Sequence, residues 1–500
     1  MSNEALAVST EAHGIHVASP RHLIDGELRE GEGSCEIISP WSGELLAITP
    51  SATVAEAREA ASAAARAFHE GPWPRMLPAE RSKILHDLAA RLQARREDLV
   101  QIAIHQAGAV RSWAQSVQTD APLKSAFDYA HIAGTFDEIE SHSVTGPPLS
   151  GQDGAHVVRM VQRVPVGAVA GITPFNYPFR MAVQKIFPAL AVGATMVLKP
   201  HPGTSLDAAL IAEEAAASGL PAGVLNILLG GGADVGDALS TDANIDMVSF
   251  TGSTTVGKKV MQSASHTVKN ISLELGGKSA NIVFADADLD AFIATDPGNL
   301  KHAGQGCGQL TRLLVERPIY NRIVETIAAQ MAQIADGEPD DETTGVGPVV
   351  NETQYRRILD YIEIGKQEGA RLVAGGGAPE GYSAGYRIRP TLFADVRNDM
   401  RIAQEEIFGP VLVVIPFDGE DEAAAIANDS IYGINASVWS GDDKKAWRVA
   451  SRLRTGNVGV NCLANVTAGP HGGFKQTGIG REWGKYSLDE YVELKAFETR

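Results

Sequence analysis

The sequence predicts an α/β protein built around a parallel sheet with helices on its faces. Three observations carry this. Short apolar runs at 167–172, 194–198, 224–229 and 247–250 each precede a helical segment. The clearest of those helices fall at 204–217 and 254–265, and such alternation places parallel strands between covering helices. A second α/β block runs from about 274 to 485, with strands at 313–315, 411–415 and 456–460.

Before the first block, residues 1–50 hold short extended pieces and turns, such as His22-Leu-Ile-Asp-Gly26 and Ser39-Pro-Trp-Ser-Gly43. An Ala-rich amphipathic helix follows over 54–68. Pro78 opens a second helix, with Ile84, Leu85, Leu88 and Leu92 on one face. A polar stretch containing Gly and Pro covers 141–154 and leads into an exposed strand over 156–164. The turn after the third strand of the first block reads Gly230-Gly-Gly-Ala-Asp-Val-Gly236. Its glycines would let backbone approach a phosphate. The spacing is not G-x-G-x-x-G, and a plain strand-to-helix turn fits it equally well. The tail over 489–498 is again strand-like.

The charge balance excludes some partners. The 500 residues carry 43 Lys+Arg against 61 Asp+Glu, a net charge of −18. Nucleic acid needs a basic footprint, and an anionic membrane surface attracts cations, so neither is expected. No apolar run reaches the roughly 18 residues of a spanning helix, and the first 20 residues lack a signal-peptide pattern. Three scattered cysteines, Cys35, Cys307 and Cys462, make neither a disulfide framework nor a zinc site. A cytoplasmic protein without a metal is expected.

Cys307 lies in Gly304-Gln-Gly-Cys-Gly-Gln309. Flanking glycines leave its sulfur uncrowded and its backbone N–H accessible, which suits a nucleophile that also offers an oxyanion donor. A small buried hydrophobe in a turn fits the segment alone about as well. Glu274 follows a strand over 270–273 and so stands at the strand's carboxyl end, where open α/β sheets place ligands. A carboxylate there can act as general base towards water, although most glutamates in loops are simply solvated. Asn176, in a turn bounded by Pro174 and Pro178, is held rigidly enough to be an oxyanion donor, or simply satisfies its turn.

Taken together these segments resemble the aldehyde dehydrogenase superfamily, from about residue 20 to the C-terminus. The matching motifs are Thr173-Pro-Phe-Asn-Tyr-Pro178, Val197-Leu-Lys-Pro200, Phe250-Thr-Gly-Ser-Thr254, Leu273-Glu-Leu-Gly-Gly-Lys278, Gly304-Gln-Gly-Cys307, Glu405-Glu-Ile-Phe-Gly-Pro410 and Gly472-Gly-Phe-Lys-Gln-Thr-Gly-Ile-Gly-Arg-Glu482. The resemblance implies a Rossmann-like cofactor domain (1–145 and 167–273), a catalytic domain (274–485) and a small oligomerisation β-ribbon (146–166 and 486–500). It implies Cys307 as nucleophile, Glu274 as general base, Asn176 in the oxyanion hole and Glu482 as a proton relay. It implies NAD, with NADP as the alternative, held by Lys199, Ser253, Glu406 and Phe408, together with Thr173, Phe175, Gly232 and Gly236. The implied substrate is a small-molecule aldehyde, with no nucleic-acid or membrane partner, and the implied assembly a homodimer or homotetramer.

Departures from the family pattern bear on detail. Pro202 stands where many members carry a ribose-binding glutamate, which opens the choice between NAD and NADP. His302 stands where asparagine is common, and His471 where phenylalanine is frequent. Gly306 and Gly308 flank the nucleophile where bulkier residues are usual, which predicts room for a ring-bearing or branched aldehyde. Retention of Glu274 favours hydrolysis over the alternative of acyl transfer to coenzyme A. The intact set of motifs argues against a non-catalytic member.

Overall fold

The computed structural model describes residues 13–17, 19–144, 157–298, 300–382, 384–464 and 469–499. Two large sheets organise it. The first has eight strands in the order Gly478–Ile479, Asn270–Glu274, Met247–Thr251, Ala168–Ile172, Thr195–Lys199, Leu225–Ile227, His22–Ile24 and Glu27–Arg29. The five strands from Asn270–Glu274 across to Leu225–Ile227 run parallel. Chain order reverses direction at Ala168–Ile172, which has Thr195–Lys199 on one side and Met247–Thr251 on the other. Strand ends beside such a switch point diverge and leave a crevice for ligands. The register aligns the carboxyl ends there, pairing Ile172 with Lys199 and Phe250, and Thr251 with Glu274.

The second sheet has seven strands, in the order Arg371–Ala374, Thr391–Ala394, Val411–Phe417, Arg312–Glu316, Ala280–Val283, Asn435–Trp439 and Asn457–Val460. All pairs but the first are parallel. Its central strands are β-branched and apolar, with Val411–Ile415 and Leu313–Val315 buried under helices on both faces. This is the pattern expected of a sheet covered on both sides.

The expected elements are found with small shifts. The helices are Val54–His69, Pro78–Ala94, Leu206–Ala216 and Thr254–Ala264. Thr53 caps the first through a capping box with Glu56. The strand expected over 489–498 begins only at Val492. Residues Gly484–Tyr491 instead form a 3₁₀ segment that buries Leu488 and Tyr491, with Ser487 donating to the Gly484 carbonyl at 2.9 Å. Part of the polar stretch read over 141–154 is a strand, Ile139–Val144. It pairs antiparallel with Val157–Pro165, which in turn pairs with Val492–Thr499 in a separate three-stranded sheet. The polar run Glu140–Ser143 conceals this strand, which carries neither an apolar run nor a period-two pattern. Residues 145–156 lie outside the described residues. Among the described residues no helix is long and apolar enough to cross a membrane.

Candidate active site

A cavity of about 620 Å³ opens between the carboxyl edge of the first sheet and the amino edge of the second. Asn176 and Phe175 follow the Ala168–Ile172 strand, Ser253 follows Met247–Thr251, and Glu274 ends its own strand. From the other side come Cys307, five residues before the Arg312–Glu316 strand, Glu406 and Phe408 before Val411–Phe417, and Asn435, the first residue of Asn435–Trp439. All of these line the cavity, as does Glu482. Cys307, Glu274, Asn176 and Glu482 are therefore brought together from four distant segments.

The loop before Cys307 is wound unusually. His302, Ala303 and Gly304 have successive φ values of 57°, 50° and 69°. Left-handed backbone costs roughly 1–2 kcal/mol at each residue with a Cβ. At Gly304 a side chain is also excluded, because a Cβ would lie 2.1 Å from the Gly409 carbonyl oxygen. Hydrogen bonds hold the loop in place. The His302 Nε2–H donates to the Asn176 carbonyl at 2.7 Å, and Gln118 donates to the same carbonyl at 3.0 Å. The Val350 N–H donates to Gln305 Oε1 at 2.9 Å. In return the Asn176 amide donates one hydrogen to the Gln305 carbonyl at 2.8 Å. An amide nitrogen has two hydrogens, so the second remains for an oxygen in the cavity. The unusual His302 thus ties the Cys307 loop to the turn that carries Asn176.

Glu274 is buried, and among the described residues neither of its carboxylate oxygens has a hydrogen-bond partner. Burial, and then the neighbouring Glu482 carboxylate, push its pKa well above the usual range, against Lys185 and Arg481. Burial pushes the Cys307 thiol up to about 12, with the Glu274 and Glu406 carboxylates adding to the effect. The site at rest therefore holds a neutral thiol beside a carboxyl that gives up its proton reluctantly. Glu406 accepts the Gly277 N–H at 2.8 Å, and burial raises its pKa to about 7.

Behind Glu274 runs a buried polar chain. Lys185 Nζ donates to Glu482 Oε1 at 2.7 Å and to Ser249 Oγ at 2.9 Å, and the Tyr491 hydroxyl donates to Ser249 Oγ at 3.3 Å. Sequence reading missed Lys185. Its signal was a lone lysine inside the apolar helix Pro178–Val192, where a cation persists only if matched. His471 bridges to the Glu482 backbone through two hydrogen bonds of 2.7 Å. Burial and the nearby Arg180 and Arg481 hold its imidazole neutral, with a pKa down to about 3.

Lys199, Thr173, Gly232 and Gly236 do not line this cavity; they occupy the neighbouring edge of the first sheet. Phe175 links the two regions, its ring lying edge-on to Phe408 at 5.6 Å and to His201 at 5.4 Å. Buried Lys199 donates to the Pro200 carbonyl, 3.4 Å from its Nζ. The Gly230 and Gly231 positions are set by the turn itself, at φ 61° and 74° against the backbone of 50–52. Gly236 differs: among the described residues a Cβ there would meet only Ile172, at 3.9 Å. Ser253 caps the helix Thr254–Ala264, accepting the Val256 N–H at 3.3 Å, so the positive end of that helix faces the cavity. A buried lysine, a helix N-terminus and an uncovered glycine fit a negatively charged dinucleotide. Among the described residues no cluster of His, Cys, Asp and Glu could hold a metal ion.

The aldehyde dehydrogenase family model matches residues 28–497. The chain belongs to that family. It is 39% identical over 481 residues to a betaine aldehyde dehydrogenase of Bacillus subtilis, covering 95% of this chain and 96% of the relative. Betaine aldehyde dehydrogenase from Staphylococcus aureus in complex with NAD+ superposes with a TM-score of 0.93 at 35% identity, covering 99% of this chain and 97% of the other. An NAD-dependent aldehyde dehydrogenase from Sinorhizobium meliloti gives 0.91 at 37%, covering 96% and 94%. The fold is accordingly the aldehyde dehydrogenase fold.

Proposed function

We propose that this aldehyde dehydrogenase oxidises an aldehyde to the carboxylic acid with NAD, through a thioester on Cys307 that water activated by Glu274 hydrolyses. One observation carries the reading: a cysteine, an amide with a free N–H and a buried carboxylate without partners among the described residues converge on one cavity from separate segments. The Cys307 sulfur attacks the aldehyde carbon, and Asn176 Nδ2 with the Cys307 N–H receives the developing oxyanion. The thiol must lose its proton to solvent before it attacks, a step that does not call on Glu274. When bound, the dinucleotide supplies the nicotinamide that takes up two electrons and a proton from the substrate carbon. Glu274 then draws a proton from water for attack on the thioester. Glu482 and Lys185 provide an internal path along which that proton leaves.

Lys199, Ser253, Glu406 and Phe408 are assigned to the dinucleotide, with Thr173, Phe175, Gly232 and Gly236 around it. NAD is favoured over NADP because Asp234 lies within electrostatic reach of Lys199 and would repel a second phosphate. A Cβ at Gly308 would make only an ordinary contact, 3.5 Å from Asn435, whereas one at Gly306 would crowd Gln309 and the Tyr177 hydroxyl at 3.1 and 3.2 Å, so room for a bulky aldehyde is supported on the Gly308 side alone. The three-part division at 1–145 with 167–273, 274–485, and 146–166 with 486–500 is proposed with two changes: Ile139–Val144 goes with the ribbon into whose sheet it pairs, and Gly478–Ile479 goes with the first sheet. Leu494, Phe497 and Ile139 are exposed on the three-stranded sheet, which supports pairing of that ribbon between subunits in a dimer or tetramer. Free Cys35, Cys307 and Cys462 support a reducing, cytoplasmic setting.

The test is reduced-nicotinamide formation by purified protein with aliphatic, aromatic and carboxylated aldehydes. Turnover that is lost in Cys307→Ala supports the proposal. Equal turnover in that variant, or product released only as an acyl-coenzyme A, defeats it.

A further inference from the structure

Arg180 belongs to the cavity wall, yet the proposed chemistry does not use it. It sits in the first turn of the helix Pro178–Val192, where the backbone dipole already presents positive charge. No acidic residue shares that turn. Its side chain reaches the cavity and lies over the Trp483 ring, 4.0 Å from the centroid. Among the described residues no carboxylate pairs with it. Burial brings its pKa down to about 10, so it is still cationic at neutral pH. The other cation of the same helix, Lys185, is matched by Glu482 at 2.7 Å.

The remaining charged groups of the wall do not cancel it. Glu482 is engaged by Lys185, Glu406 is faced by Arg357, burial favours the neutral form of Glu274, and His471 is neutral. Asp296 and Lys301, one of each sign, also line the cavity, and among the described residues Arg180 forms no ion pair with Asp296. Among the described residues, Arg180 is therefore a fixed positive charge without a protein counter-charge, in a cavity whose reactive sulfur lies within its electrostatic reach. A guanidinium so placed presents a planar fork of donors suited to a carboxylate.

We propose that Arg180 selects the substrate's charge: the cavity takes an aldehyde bearing a carboxylate a few bonds from its carbonyl, and rejects a quaternary-ammonium aldehyde. This rests on the aldehyde-oxidising reading above. It also separates this chain from those relatives whose names specify betaine aldehyde.

Three aldehydes of matched length test it with NAD-loaded enzyme: 4-oxobutanoate, its methyl ester and 4-(trimethylammonio)butanal. The expected order of kcat/KM is carboxylate, ester, cation, with at least about tenfold between the first two, the scale of one charge-assisted hydrogen bond. In Arg180→Met the carboxylate-to-ester ratio falls about 10- to 100-fold, and Arg180→Lys restores part of it. A second readout needs no turnover: succinate binding, followed by tryptophan fluorescence because Trp483 lies beneath Arg180, is lost in Arg180→Met. A wild-type ratio near one, a preference for the cation, or an unchanged ratio in Arg180→Met overturns the proposal. Oxidation of all three aldehydes without charge preference leaves the oxidation reading standing and removes this one. Arg180-dependent succinate binding without oxidation of any aldehyde removes the oxidation reading and leaves Arg180 only as a carboxylate-binding group.

Discussion

Replacing Glu482 by glutamine changes the charge behind Glu274, the proposed general base, in a calculable direction. In the wild-type site the Glu482 carboxylate raises the Glu274 pKa and Lys185 lowers it. Glutamine keeps the shape, removes the repulsion and leaves Lys185 without its counter-charge. Both effects favour ionised Glu274. At an effective dielectric of about 20, one like charge a few ångströms from a buried carboxyl is worth on the order of 1–2 pKa units. The acid limb of the kcat profile should therefore move to lower pH by about one to two units. Maximal kcat should fall as well, because the internal proton path is broken. The assay is steady-state reduced-nicotinamide formation from pH 5 to 9 at saturating substrate. A limb that stays in place, or moves to higher pH, would show that Glu482 does not control the ionisation of Glu274. The variant also leaves Lys185 buried and unmatched, at a cost on the order of 3–5 kcal/mol. Circular dichroism before each assay separates loss of fold from loss of rate.

Other consequences follow from single residues. Asn176→Ala should lower kcat by roughly 10²–10³, the usual effect of removing one oxyanion donor, while KM for NAD measured in the same assay changes little. Asp207 is fully buried with Gln106 Nε2 donating to it at 2.7 Å, and burial raises its pKa to about 7. Its contribution to stability is complete below the unfolded carboxyl pKa near 4 and is lost as pH rises towards 7, by an amount on the order of 4 kcal/mol. Asp207→Asn should flatten the pH dependence of thermal unfolding across that window, and an undiminished slope would contradict it. Lys199→Ala should weaken NAD binding at least several-fold by equilibrium fluorescence titration, through loss of the buried cation at that edge of the sheet.

The alternation of apolar runs and helices made the first sheet legible. Its strands, such as Met247–Thr251, are buried along nearly their whole length, so their sequence is continuously apolar or small. The motifs located Cys307, Glu274 and Asn176 because glycines and prolines around them constrain backbone as well as chemistry. Three things were not legible. Ile139–Val144 has four consecutive polar residues between its apolar ends, and only its pairing partner makes it a strand. Lys185 and Arg180 are ordinary basic residues until burial and the presence or absence of a counter-charge distinguish them. The left-handed run at His302 and Ala303 depends on long-range bonds to Asn176 and Val350, which no local propensity reports.

The most direct test of the thioester mechanism is intact-protein mass measurement on Glu274→Gln mixed with NAD and an aldehyde that the wild-type enzyme oxidises. Deacylation should stall, giving a burst of about one reduced nicotinamide per subunit and an acyl mass increment that peptide mapping places on Cys307. Steady turnover without a burst, or a burst that leaves Cys307 unmodified, would contradict a covalent intermediate released by Glu274.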